Sequence, residues 1–269
     1  MNETQLIYKQ ATTYNLMPID SLLDYAGPHN ATTHADGVSD KYNFISTRNV
    51  LNGLDAKAWG VAEFKVMKAN KNENHGFQKH MIKLQRYDQI GLKESQQIVL
   101  INSHNRSSGF RVAAGVFRLV CSNGLIVGND YGFGVRHIGG SSDKVIDAVF
   151  RVVKDSDLIN SRIDALKSVQ LSSEAARNFA SEALKLRFAD EKIIQLGEQG
   201  LAYALHTKRT EDSGADLWTV FNRVQENLSN KIRVRGGRSI GGLKAIDSNI
   251  KFNKDLWTLA ENTAMRAVL

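Results

Sequence analysis

The chain has 269 residues, of which 42% are hydrophobic and 23% are charged, so it can bury a core of its own and has the composition of an ordinary globular protein. Its 35 Lys and Arg residues outnumber its 28 Asp and Glu residues, and the net charge of +7 favours polyanionic partners. The single cysteine, Cys121, excludes an intramolecular disulfide and a zinc site built from cysteines.

Alternating apolar and polar residues in the first half of the chain predict β-strands. Four segments show this alternation, and we predict strands at residues 41–46, 59–69, 80–86 and 98–103. Thr47 is the predicted N-cap of a helix over residues 48–58, and residues 68–75 are predicted to form a polar hairpin loop. The apolar run 116–121 fits a helix or a strand equally well.

After the glycine-rich turn at residues 137–141, apolar residues take the spacing of amphipathic helices. Five helices are predicted, at residues 143–166, 174–187, 191–206, 215–228 and 253–269. We therefore predict an α+β protein, in which an N-terminal antiparallel sheet with helices is followed by a mainly helical C-terminal region. The predicted domains are residues 1–140 and residues 141–269.

The segment 96–128 contains the first cluster of residues suited to binding an anion. Two apolar runs flank a polar turn with His104 and Arg106, and Arg111 and Arg118 then interrupt an otherwise apolar stretch. A guanidinium in such a stretch requires water, a carboxylate or a phosphate as its partner. We predict that these four residues contact a polyanion. The alternative is that Arg111 and Arg118 lie on the solvated face of a half-buried sheet.

A second cationic segment spans residues 231–244, KIRVRGGRSIGGLK, and contains no acidic residue. Its glycines let the backbone approach a phosphate closely, and the arginine fork matches phosphate oxygens. We predict DNA contacts here through Lys231, Arg233, Arg235, Arg238 and Lys244. The alternative is a solvated linker between two helices. The segment lacks the Gly-Lys-Ser/Thr ending of a phosphate-binding loop, which argues against NTP hydrolysis.

The histidines and the aromatic residues extend this predicted DNA-binding set. None of the histidines has the spacing of a metal site, and we predict no metal and no other cofactor. Two histidines lie close to an arginine, namely His104 beside Arg106 and His137 beside Arg136. That setting favours contacts with phosphates or bases. Glycines flank Tyr131 and Phe133, which are predicted to stack on bases.

Several stretches of the chain resemble a known family. They are residues 38–46 (VSDKYNFIS), 102–128 (NSHNRSSGFRVAAGVFRLVCSNGLIVG), 218–228 (WTVFNRVQENL) and 253–260 (NKDLWTLA). They are similar to the phage- and plasmid-borne family long catalogued only as a domain of unknown function. The resemblance covers most of the chain and implies a mobile-element product of the bacterial cytoplasm. The hairpin-plus-helix layout and the basic charge also resemble phage single-strand annealing proteins, which form rings or filaments on DNA.

These patterns together predict a sequence-independent single-stranded DNA binding and annealing protein that acts in recombination. Two alternatives stay open. One is a metal-dependent nuclease that uses some of His80, His104 and His137. The other is an antagonist of host defence, whose partner is a host protein.

Annealing by this protein is predicted to require a homo-oligomer, because repeating a weak groove multiplies its contacts along one strand. Subunit contacts are predicted on the helical C-terminal region, through Trp218, Phe221, Trp257 and Leu259, although such residues are more often intramolecular core. No segment approaches the roughly 20 apolar residues that span a bilayer, and the N-terminus is not a secretory signal. We therefore expect a cytoplasmic protein with no membrane partner.

Overall fold

The computed structural model describes residues 4–9, 15–69, 75–118, 123–126, 132–137, 141–232 and 239–268. Contacts between residues divide the chain into two compact units, Met1–Ser156 and Asp157–Leu269. The first unit includes the helix after residue 140, which the sequence-based boundary assigns to the second domain. A sheet with helices comes first and a helical region follows, so the predicted α+β fold class is confirmed.

The described residues of the first unit form an eight-stranded antiparallel sheet. The strands are β1 (Thr4–Lys9), β2 (Met17–Pro18), β3 (Trp59–Met67), β4 (His80–Arg86), β5 (Glu94–Asn102), β6 (Phe110–Arg118), β7 (Asn123–Ile126) and β8 (Gly132–Val135). Their order is β1-β3-β4-β5-β6-β7, while β2 pairs with β3 and β8 pairs with β6. The strand predicted at 80–86 is confirmed, and that predicted at 59–69 is two residues shorter. Residues 70–74 of the predicted hairpin loop lie outside the described residues.

The first unit has two short helices between β2 and β3 and a longer one after β8. They are α1 (Ile19–Asp24), α2 (Thr47–Asn52) and α3 (Ser142–Lys154), with 3-10 turns at Pro28–Asn30 and Tyr87–Gln89. The N-cap of α2 is Ser46, whose hydroxyl accepts a hydrogen bond from the Asn49 amide. Thr47 is therefore not the cap, and the helix ends at Asn52, with Gly53 as its C-cap, rather than at residue 58.

Residues 41–46 do not form the predicted strand. Their polar groups bind other loops instead of a strand ladder. The Tyr42 hydroxyl donates to the Ser103 carbonyl over 3.2 Å, and the Asn43 N–H donates to the His137 carbonyl over 2.6 Å. The alternation of Tyr42 and Phe44 therefore reflects packing against the end of the sheet.

One face of the sheet is apolar, and the other buries charges. Phe64, Ile82 and Leu100 lie opposite one another across β3, β4 and β5, and all are buried. On the opposite face, Lys83 Nζ lies 2.8 Å from the Glu63 carboxylate, and Lys65 pairs with the same carboxylate. Burial raises the pKa of Glu63, but the two ammonium groups outweigh this effect and hold it at about 2. The ion pairs supply the compensation that a buried charge requires.

The second unit is helical in its described residues. Its helices are α4 (Ser156–Ser168), α5 (Ser173–Arg187), α6 (Asp190–Ala204), α7 (Leu217–Ser229) and α8 (Ile246–Val268). The single helix predicted over 143–166 is in fact α3 and α4, because α3 ends at Asp155. None of the helices described in either unit is both long and apolar enough for a membrane crossing.

The core of the second unit is an aromatic cluster on α7 and α8. Trp218, Phe221 and Trp257 have ring centroids 5.4 to 6.3 Å apart, and each is at most 2% exposed. These three rings pack within the chain, so they are not available for the subunit contacts predicted from the sequence. Leu259 is half-buried.

Candidate nucleic-acid interface

The loop between β5 and β6 holds Arg106 at one end of the sheet. Two hydrogen bonds close this loop, because Ser103 Oγ donates to the Ser108 carbonyl (3.0 Å) and accepts from the Ser108 N–H (2.8 Å). Inside it, Asn105 Oδ1 accepts from the Ser107 amide and hydroxyl, at 3.2 and 2.7 Å. Arg106 is exposed and has a φ of 66°, a left-handed conformation that costs about 1 kcal/mol or more outside glycine. The loop bonds therefore stabilise a strained residue that points a cation to solvent.

Strand β8 brings Arg136 to the same end of the sheet. β8 pairs with the first residues of β6, and Arg111 lies opposite Gly134. A Cβ placed on Gly109 would lie 3.1 Å from the Val135 carbonyl oxygen and 3.8 Å from the Arg136 Cα, so the loop end and residue 136 run side by side. Three arginines distant in sequence thus share one end of the sheet. We call them the arginine edge: Arg106, Arg111 and Arg136.

The arginine edge carries a net positive charge toward solvent. Arg106 and Arg136 are exposed, and neither makes an ion pair within the described part of the chain, while Arg111 is half-buried. A neighbouring segment is joined to the loop by a hydrogen bond from the Ala35 N–H to the His104 carbonyl (2.9 Å). This segment adds one exposed lysine and two exposed aspartates, Lys41, Asp36 and Asp40. Within the arginine edge and residues 35–43, four cations thus outnumber two carboxylates.

Asn102, the last residue of β5, connects the segments around the arginine edge. Its Oδ1 accepts from the Ser103 N–H (2.8 Å) and lies 3.0 Å from His137 Nε2. Its Nδ2 donates to the Ile45 carbonyl and to Thr47 Oγ1, both at 3.0 Å. The side chain has four hydrogen bonds and is 1% exposed. It therefore fixes the loop, the residue after Arg136 and the start of α2 relative to one another.

The partners of His80 determine where its proton lies. Nδ1 is 3.0 Å from the Gln78 carbonyl oxygen, which can only accept, so Nδ1 carries the proton. Nε2 of the neutral ring then accepts from the Thr47 hydroxyl, 2.9 Å away, while Thr47 Oγ1 accepts from Asn102. Burial, reinforced by the neighbouring His104, lowers the pKa of His80 to about 3.

The two histidines predicted to contact DNA are buried. His104 is 0% exposed and packs on Phe44 with ring centroids 4.7 Å apart. Burial, with His137 acting in the same direction, lowers the pKa of His104 to about 4, and the Pro28 carbonyl opposes this shift. His137 is 6% exposed and stacks on Tyr42 at 4.4 Å. We do not retain direct DNA contacts by these imidazoles, because they pack beneath the surface instead of reaching solvent.

Acidic pH is expected to destabilise the fold through these buried histidines. The pKa values of His80, about 3, and His104, about 4, lie below the ordinary 6.5, so the unfolded chain takes up protons first. Stability is therefore complete above pH 6.5 and falls as the pH drops toward 4. At pH 5 the loss is about 2 kcal/mol for each histidine. Urea denaturation at pH 7.5 and pH 5 measures the difference, and equal unfolding free energies would show that the imidazoles are not held neutral.

The other residues predicted in this region lie away from the arginine edge or outside the described residues. Arg118 is at the far end of β6, opposite Glu94. It is seven residues from Arg111, which corresponds to about 23 Å along a strand. Phe133 belongs to β8 and not to an open loop, and Tyr131 lies outside the described residues. The sheet therefore separates Arg118 from the other three arginines of the predicted set.

The second cationic segment is a loop with a closed base. Ile232 and Ile240 exchange both of their backbone hydrogen bonds, each at 2.9 Å. The Tyr203 hydroxyl donates to the Lys231 carbonyl over 2.9 Å. The Arg187 guanidinium donates to carbonyls at both ends of the segment, those of Leu228, Asn230 and Gly241. A solvated linker has no need of such anchoring, so the closed base argues against the linker alternative.

The structure describes two of the five cations of this segment. Lys231 and Lys244, at the base, are exposed. Arg233, Arg235 and Arg238 lie in the part between Ile232 and Ile240 that is outside the described residues. We call residues 231–244 the basic loop.

The nuclease alternative depends on histidines that the structure describes. Among the described residues, no group of three or more His, Cys, Asp or Glu side chains is arranged to hold a metal ion. The His80 and His104 rings have centroids 5.6 Å apart. Both nitrogens of His137 face oxygens of other residues, Asn102 Oδ1 at 3.0 Å and the Asn43 carbonyl at 3.1 Å.

Sequence reasoning missed the side chains that hold this site together. Asn102 and Thr47 were absent from the predicted set, although both are nearly inaccessible and hydrogen-bonded to each other. The available signal was the run Asn-Ser-His directly after an apolar strand, because polar side chains at a strand end have to find partners nearby. Their partners come from residues 43–47, which no local pattern connects to β5.

Comparison with known proteins identifies relatives of this chain. The sequence profile of a family described as a Domain of unknown function (DUF932) matches residues 35–257. Two proteins of Escherichia coli strain K12 are similar over 232 residues, which are 83% of this chain and 82% of each relative. They are the UPF0380 protein YafZ, 32% identical, and the UPF0380 protein YfjQ, 31% identical. No solved structure matches.

Proposed function

Since this chain belongs to the DUF932 family, whose description assigns no function, we propose one from its own residues: it binds single-stranded DNA without sequence preference. Phosphates of the strand contact the arginine edge and the basic loop. Both surfaces are cationic, and guanidinium groups pair well with phosphate oxygens in any sequence.

The observation that carries this proposal is the convergence of Arg106, Arg111 and Arg136. Two of these residues come from a loop and a strand that are adjacent in sequence, but Arg136 reaches them only through the pairing of β8 with β6. A structural role alone would not require Arg106 to be exposed in a left-handed conformation. Strain of this kind concentrates at functional sites.

Single strands are favoured over duplexes because aromatic residues accompany the cations. Phe133 pairs with Val112 in the sheet, next to the pair that contains Arg111, and Tyr131 precedes β8 in the sequence. Unpaired bases expose faces that stack on such rings, worth about 1–3 kcal/mol for each base. In the proposed complex the arginine edge holds phosphates, and these two rings contact bases.

The annealing activity and the homo-oligomer are parts of the same proposal. Few phosphate contacts on one subunit give weak binding, and a repeated surface raises the affinity through effective concentration. Because the tryptophans of α7 and α8 are buried, subunit contacts are now proposed on exposed apolar side chains. These are Phe150 on α3, Leu158 on α4, Ile194 on α6 and Met265 on α8, which are 56 to 80% exposed.

Titration of the protein into fluorescent single-stranded oligonucleotides tests the proposed function. We expect equal affinities for two oligonucleotides of unrelated sequence and weaker binding to the duplex. Binding should weaken steeply between 50 and 200 mM salt, because phosphate contacts release counterions. Absence of binding at 50 mM salt would exclude the function. Light scattering of the same samples measures the oligomeric state. If the protein stays a monomer with and without DNA, the proposed DNA binding would stand, but annealing by an oligomer would be excluded.

A further inference from the structure

A pocket of about 320 Å³ lies in the second unit, between the beginning of α5 and the face of α7. This size is at the lower end of the range for small-molecule sites. Apolar side chains and two guanidinium groups line it, namely Leu171, Ala176, Leu205, Val220, Arg177 and Arg223. The pocket therefore combines an apolar wall with positive charge, and neither the arginine edge nor the basic loop is part of it.

Arg223 is the unusual residue among those that line the pocket. Its guanidinium donates to two neutral oxygens, Thr207 Oγ1 (3.1 Å) and the Gly214 carbonyl (3.0 Å). Its Nε is buried and cannot be reached from the pocket, but each terminal nitrogen carries a second N–H that these two bonds leave unused. No ion pair of Arg223 occurs among the described residues, and its neighbour Asp212 pairs with Arg209 instead. A half-buried cation with a free donor is costly unless an anion completes its coordination.

The surrounding charges select the type of anion. Asp212 and Asp216 lie close enough to Arg223 to oppose the lowering of its pKa by burial. Arg177 is already paired with Glu198, at 2.6 Å. The two aspartates offset part of the attraction of Arg223 for any anion, and the cost of taking an anion out of water rises steeply with its charge. A singly charged group is therefore a better ligand here than a doubly charged phosphate.

We propose that this pocket binds a small aliphatic carboxylate. The carboxylate accepts hydrogen bonds from the unused N–H groups on the terminal nitrogens of Arg223, and the aliphatic chain lies against Leu171, Ala176 and Val220. The Ser172 and Ser173 hydroxyls at the rim provide further polar contacts for the head group. The site is separate from DNA binding, since none of its lining residues belongs to the arginine edge or to the basic loop.

Isothermal titration calorimetry with hexanoate tests this site, with 1-hexanol and inorganic phosphate as comparison ligands. We expect saturable binding of hexanoate at a ratio of one per chain, and at least about tenfold weaker binding of the alcohol and of phosphate. Equal binding of hexanol would identify a merely apolar cavity. Equal binding of phosphate would identify a bare anion site. No saturable binding of hexanoate up to 10 mM would exclude the pocket as a carboxylate site.

Three variants locate the site on the molecule. Arg223→Gln should weaken hexanoate binding by about tenfold or more, because it removes a charge-assisted hydrogen bond. Ala176→Leu leaves the guanidinium in place, fills the pocket and should abolish binding. The control is Arg266→Gln, the same change at an exposed position on α8, and it should bind as the wild type does. Normal hexanoate affinity in folded Ala176→Leu protein would overturn the proposal even if Arg223→Gln does not fold.

Discussion

Replacement of Asn102 by alanine is expected to lower the free energy of unfolding by roughly 3 kcal/mol or more. The side chain is 1% exposed and makes four hydrogen bonds. Its loss leaves three buried polar groups without a partner, namely the Ile45 carbonyl, the Ser103 N–H and His137 Nε2. Each buried polar group left without a partner costs about 1–3 kcal/mol. Urea denaturation at pH 7.5 measures the change.

Asn105→Ala provides the matched control for this variant. Asn105 lies three residues further along, and its Oδ1 accepts two hydrogen bonds from the exposed Ser107. Water replaces such bonds, so the control should lose less than about 1 kcal/mol. Equal stabilities of the two variants would mean that Asn102 is not the connection between the loop and the rest of the unit.

Strands that alternate strictly were the easiest elements to predict from the sequence. β4 was predicted to the residue and β3 to within two residues, because both pack an apolar face against the core. Residues 41–46 show similar alternation, but they form hydrogen bonds with loops and not with a neighbouring strand. α8 begins at Ile246, seven residues before its predicted start, because Ile246 and Ile250 extend its buried stripe into residues 246–252, for which no element was predicted.

The sequence indicated the cations of the candidate site, but not the buried side chains that lie beneath them. Arg106 was recognised in a polar turn between two apolar runs, Arg111 as a charge that interrupts an apolar segment, and Arg136 from its neighbour His137. That Arg118 lies at the opposite end of the sheet follows from strand register, which no single segment specifies. The burial of His104 was equally hidden, because its sequence neighbours are polar and its packing partner, Phe44, comes from a distant segment.

The second large effect concerns DNA affinity. Replacement of Arg106 and Arg136 together by alanine should weaken binding to single-stranded DNA by about tenfold or more, to a similar extent for all sequences. It should also reduce the slope of log affinity against log salt by about 1.4, since each lost phosphate contact contributes about 0.7 for single strands. Both side chains are exposed, so the fold should be unaffected.

The most direct test of the proposed function compares this double variant with Lys57→Ala/Lys93→Ala. Both lysines are exposed, and they lie beside the opposite end of the sheet, near Trp59 and Glu94. The two double variants lose the same charge, so a general electrostatic effect would weaken both equally. Fluorescence anisotropy with one labelled oligonucleotide at several salt concentrations measures both. We predict a loss of about tenfold or more only at the arginine edge and less than about threefold for the lysine pair; equal losses, or none in either, would contradict a DNA-binding surface built from Arg106 and Arg136.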